Sequence, residues 1–105
     1  RAKSFYAKVL NAPIHDDPNR QYAYLPSGPQ KGGFGGAIGF GENFVPAMTG
    51  TTVYLDGGED LSVPLSRVES AGGKIILPKT SIGENGFIAL FIDTEGNKVG
   101  FHSMK

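Results

Sequence analysis

The sequence predicts an α+β domain made of two similar modules, each a helix followed by short strands. Three observations carry that expectation. Apolar residues recur at helical spacing in two places. Around them lie short runs rich in β-branched and aromatic residues, bounded by Gly, Pro, Asn and Asp. The two halves also match one another when superposed.

From Ala2 the apolar residues fall at Ala2, Phe5, Tyr6, Val9 and Leu10, one face of a helix that Pro13 prevents from continuing. Strand-like runs are expected over 21–25, 34–40, 51–55, 74–77, 87–92 and 98–102. A second helical stripe, Leu61, Leu65 and Val68, lies among them. Asp60 is placed as its N-cap, Pro64 falls in the first turn where a missing N–H is tolerated, and Gly72 and Gly73 stop it. Residues 93–97 read as a hairpin loop, with Gly96 available for a left-handed position. The expected core is Phe5, Tyr6, Val9, Leu10, Ile38, Phe40, Val53, Leu55, Leu65, Val68, Val99 and Phe101.

The repeat sets the organisation. AKVLNA (7–12) matches SRVESA (66–71) in character, and AIGF (37–40) matches KVGF (98–101). Module one is expected over 1–42, a linker containing Pro46 over 43–50, and module two over 51–105. Module two is complete as strand, helix and three strands. Module one shows no strand before its helix, and a first strand is expected to be missing from this sequence.

Composition narrows the function classes. Ten basic residues balance ten acidic ones, which leaves no electrostatic footprint for nucleic acid or an anionic membrane. No apolar run approaches the roughly 20 residues needed to span a bilayer. The absence of cysteine removes disulfides, thiolate zinc sites and cysteine nucleophiles together. A soluble cytoplasmic protein is expected.

The stretch DLSVPLSRVESAGGKIILPKTSIGENGFIALFIDTEGNKVGFHS (60–103) resembles the second βαβββ module of the vicinal oxygen chelate superfamily, and RAKSFYAKVLNAPI (1–14) resembles its first helix. That superfamily includes glyoxalase I, extradiol dioxygenases and bleomycin-resistance proteins. The resemblance implies paired βαβββ modules forming a curved, mostly antiparallel, cup-shaped sheet with the helices on its convex side. Where such proteins hold a divalent metal, the ligands come from the first and last strands of each module. The last-strand position of module two falls on Gly100, where metal-binding members carry Glu, and its repeat partner is Gly39. The first-strand position falls near Thr52, where members often carry His, and the fourth position lies on the missing strand. Glycine has no side chain and a lone threonine hydroxyl is a poor ligand, whereas a catalytic site needs about three His or carboxylate ligands. The expectation is therefore a lactoylglutathione-lyase-like member with no metal and no cofactor.

On that resemblance the cup would be lined by Gly39, Thr52, Tyr54, Gly100 and His102, with Tyr22 or Tyr24 as further candidates, and would take a small molecule. Strand alternation puts His102 on the face of Gly100 and opposite Val99 and Phe101. A strand-end histidine satisfied by water or backbone is its more ordinary role. His15, Asp16 and Asp17 read as turn chemistry rather than a metal cluster, and Ser62, Ser66 and Ser70 as a solvated helix face. The glycine run 32–41 fits no phosphate-binding pattern; it reads as a loose hairpin that leaves room in the cup. Two alternatives remain: a divergent lyase or dioxygenase-like enzyme using His102 as acid or base, and a drug-sequestering resistance protein. A homodimer is expected, because an unpaired strand edge is a template for another chain.

Overall fold

A computed structural model describes residues 1–26 and 34–105 as an α+β fold with two sheets and two short helices. The elements are α1 (Ala2–Leu10), β1 (His15–Asp16), β2 (Tyr22–Pro26), β3 (Phe34–Gly39), β4 (Val53–Asp56), α2 (Ser62–Leu65), β5 (Lys74–Ser81), β6 (Phe87–Ile92) and β7 (Lys98–Ser103). The antiparallel sheet β1-β2-β3 belongs to the first half of the chain. The sheet β4-β7-β6-β5 belongs to the second, and it is antiparallel except for the parallel pair β4 and β7. The facing edge strands β3 and β4 are not paired, so the strands form two sheets rather than one continuous surface. The hairpin expected in the glycine run lies partly outside the described residues, at Gly32 and Gly33.

α1 ends at Leu10, before Pro13 is reached. Asn11 takes a left-handed conformation (φ 53°), and the Ala12 N–H closes on the Ala7 carbonyl at 3.1 Å, a usual helix stop. α2 is shorter than its apolar stripe suggests. Its N-cap is Leu61 rather than Asp60, which stands one residue earlier and accepts the Ser62 N–H at 2.9 Å. Beyond Ser66 the bonding tightens to Arg67 N–H on the Pro64 carbonyl and Val68 N–H on the Leu65 carbonyl. Ser66 and Ser70 donate their hydroxyls to the carbonyls of Val63 and Arg67, competing with the helical ladder.

Both helices cover one face of the four-stranded sheet. Phe5 and Val9 of α1, with Leu61, Leu65 and Val68, close on Ala89, Phe91 and Phe101. Phe91 lies between Phe5 and Phe101, its ring tilted against both, with centroids at 6.0 and 5.0 Å. Because α1 lies on the other half's sheet, a single core ties the two halves together. The DTEGN hairpin locks this packing. Buried Asp93 accepts the Tyr6 hydroxyl at 2.7 Å and the N–H groups of Glu95 and Asn97 at 2.9 Å. Asn97 in turn accepts the Ala47 N–H. Gly96 sits at φ 92°, as the loop requires.

Two of the expected core residues are not buried. Phe40 is 74% and Val53 57% exposed. Each lies where alternation puts an inward residue, but on an edge that none of the described strands covers. Leu10, Ile38, Leu55 and Val99 are half-buried against the core, which also holds Leu61 of the second helical stripe and, from β6, Ala89 and Phe91.

Candidate functional site

The face of β4-β7-β6-β5 opposite the helices is open. On β7, Val99 and Phe101 turn to the core, so Gly100 and His102 turn to this open face. Across the ladders Gly100 pairs with Tyr54 of β4 and Leu90 of β6, and His102 with Asp56 and Ile88. Thr52 falls one residue before β4 and is half-buried. Tyr54, Gly100, His102, Ile88 and Leu90 thus form a mixed aromatic and aliphatic platform. Ile88 and Leu90 went unnoticed in the sequence because every residue of β6, FIALFI, is apolar and alternation cannot assign its faces.

Tyr54 rests directly against Gly100. A Cβ there would stand 2.4 Å from Tyr54 Cδ1 and 2.5 Å from Cε1, so only glycine admits the ring at its present position. The repeat carries the same device. A Cβ on Gly39 would stand 2.8 Å from Phe44 Cε2 and 3.0 Å from Tyr22 Cε1. Tyr22 and Phe44 stack at 6.1 Å with 22° between their planes. Both repeated glycines are therefore covered by aromatic rings. Phe44 had no signal in the sequence, since it lies in the linker outside any periodic segment.

Gly39, Gly100 and Thr52 stand at the positions that the resemblance equates with metal ligands, and among the described residues no three His, Cys, Asp or Glu side chains gather to hold an ion. His102 Nε2 lies 2.6 Å from the Asn85 carbonyl oxygen. A carbonyl only accepts, so Nε2 is the donor in this contact. His15 pairs with Tyr24 in the β1–β2 ladder, Asp16 binds Lys3 at 3.0 Å and Asp17 binds Arg20 at 3.4 Å. Asp17 also accepts the Tyr24 hydroxyl, which holds its carboxyl below the usual range and pushes the Tyr24 phenol up.

Between the β3 and β4 edges, beside α1, runs a cleft of about 1030 Å³. Gly39 lines it, together with Ile38, Phe40, Val53 and Tyr6; Thr52, Tyr54, Gly100 and His102 do not. The structure thus brings Tyr54, Gly100 and His102 together on the open face and leaves Gly39 apart, under its own aromatic cover.

No family model matches the sequence, and no curated protein does. Solved structures do. A conserved domain protein matches with a TM-score of 0.65 at 17% identity, over 99% of this chain and 87% of its own. A hypothetical protein from S. aureus matches with a TM-score of 0.61 at 17% identity, over 97% and 83%. A glyoxalase-related enzyme from Fulvimarina pelagi matches with a TM-score of 0.61 at 15% identity, over 97% and 77%. At these identities the likeness is one of fold: this chain has a glyoxalase-like α+β fold.

Proposed function

We propose that this domain binds a small molecule on the open sheet face and works without the superfamily's metal centre. The observation that carries the reading is the pair of glycines at ligand-equivalent positions, each with an aromatic ring packed against it. An exposed tyrosine beside aliphatic residues favours a flat, largely apolar ligand, and the threonine and histidine at the margins supply hydrogen bonds that orient it. Zero net charge gives no support to sequestration of a cationic drug.

The test is an NMR screen with planar aromatic fragments at millimolar concentration, followed by zinc and nickel titration. Binders should shift the resonances of Tyr54, Leu90 and His102, and Tyr54→Ala should weaken them at least about tenfold, the loss of roughly one good ring contact. Silence at those three residues across the screen refutes the reading. So does stoichiometric sub-micromolar metal binding lost on His102→Ala, which would favour an enzyme instead.

A further inference from the structure

The cleft between β3 and β4 differs in kind from the sheet face. Its volume of about 1030 Å³ lies at or above the roughly 300–1,000 Å³ of ordinary small-molecule pockets. Along one side it presents backbone. β3 is the edge of its sheet, and the Phe40 N–H donates to the Gln21 carbonyl at 2.9 Å. In an antiparallel ladder that bond fixes the alternation: Ile38 and Phe40 direct their backbone groups to β2, and Ala37 and Gly39 direct theirs away from it.

The repeat indicates what belongs at such an edge. β3 corresponds to β7 and Gly39 to Gly100. In the second half, β4 lies parallel to β7, with Val53 opposite Val99 and Tyr54 opposite Gly100. Among the described strands, none occupies the equivalent place beside β3. The core misassignments point the same way, because Phe40 and Val53, patterned as buried yet exposed, both line this cleft. At its rim Arg1 pairs with Glu95 at 2.9 Å, Lys3 with Asp16 and Arg20 with Asp17, while Lys98 also lines the cleft.

We infer that the cleft is a strand-receiving slot. Its occupant is an extended polypeptide segment with alternating apolar residues, lying parallel to β3, hydrogen-bonded to the backbone of Ala37 and Gly39, with its apolar side chains toward Phe40, Val53 and α1. Main-chain bonds give such a strand its hold and the alternating side chains give it register. This inference is independent of the ligand proposed for the sheet face.

The probe is the peptide Thr-Thr-Val-Tyr-Leu-Asp-Gly, the sequence of residues 51–57, whose strand fills the equivalent place in the second half. It is supplied free and also joined ahead of Arg1 through a flexible Gly-Ser linker, which raises its effective concentration. Amide exchange is followed by NMR on the full chain. Saturable binding should slow exchange at Ala37 and Gly39 about tenfold or more. N-methylation of the peptide amides facing β3 should weaken binding by about tenfold, as loss of one or two backbone hydrogen bonds would. Three results would overturn the inference: no slowing at Ala37 and Gly39 with either form, slowing that N-methylation leaves untouched, or a free chain that already sediments as a dimer with these amides protected. The last would assign the slot to a second copy.

Discussion

Tyr6 and Asp93 form the polar contact buried deepest between the halves. The phenol donates to Asp93 Oδ2 at 2.7 Å, and the remaining partner of that oxygen is the Asn97 side chain at 3.3 Å. Tyr6→Phe keeps the ring that packs edge-on against Phe5, at 4.8 Å, and removes only the hydroxyl. It is expected to destabilise by about 1–3 kcal/mol, the cost of leaving a buried carboxylate oxygen poorly satisfied, read from urea unfolding. Gly100 makes a different demand. Gly100→Ala forces the Tyr54 ring aside and should cost about 1 kcal/mol, at the low end for overpacking because that ring is 46% exposed and free to swing. The cost should shrink in the background of Tyr54→Ala to what the Ala89 carbonyl oxygen, 3.1 Å from the added Cβ, imposes. A double-mutant cycle showing the two changes to be additive would mean that the ring does not rest on this glycine.

Among the elements, the turn between β5 and β6 is the least tolerant of change. Gly86 combines φ 101° with a backbone wall: a Cβ would stand 2.3 Å from the Ser103 carbonyl oxygen. Gly96, in the β6–β7 hairpin, also has positive φ, but nothing stands within 4 Å of its Cβ position. Gly96→Ala should therefore cost only its backbone strain, about 1–2 kcal/mol, and Gly86→Ala at least about 2 kcal/mol more, since a main-chain wall cannot yield as a side chain does. Thermal melts of the two variants decide it. Only Gly96 was legible in the sequence, because its loop has hairpin chemistry; Gly86 owes its constraint to β7, which is remote in the chain. The same division holds for the strands. β7 alternates cleanly and its faces could be assigned, whereas β1 is two exposed residues with no pattern to read. β5 was expected to end before Pro78 yet runs to Ser81, because it is an edge strand and loses no ladder bond there. In the candidate site, Gly100, Tyr54 and His102 could be placed by alternation, while Phe44 and Leu90 arrive through tertiary contact and an all-apolar strand.

At the scale of the whole molecule, the two halves and the α2 region are tied by charges whose titration sets the pH limits of the fold. Hydrogen bonds from Arg1, then from Thr94, hold the Glu95 carboxyl at about 2, from an ordinary value of 4.5. The Lys79 ammonium, then the Ser62 N–H, holds Asp60 at about 2, from 3.8. A carboxylate depressed in the folded chain contributes stability that is complete above its unfolded value and lost as pH falls through the folded one. The urea midpoint should therefore fall between pH 5 and pH 2, and fall less steeply in the double variant Asp60→Asn, Glu95→Gln. Both groups are only half-buried and reached by solvent, so the contribution should also shrink in high salt. The alkaline limb has the opposite sign. Burial, then the bond to Asp93, raises the Tyr6 phenol far above its ordinary 10.0. A phenol that the fold keeps neutral contributes stability fully present below pH 10 and lost as pH rises beyond it, because the unfolded chain then ionises and the folded one does not. Unfolding measured from pH 9 to 11 should show this loss, and Tyr6→Phe, already less stable at neutral pH, should lose less stability over the same range. An unchanged alkaline slope in that variant would mean that Tyr6 is not the group responsible.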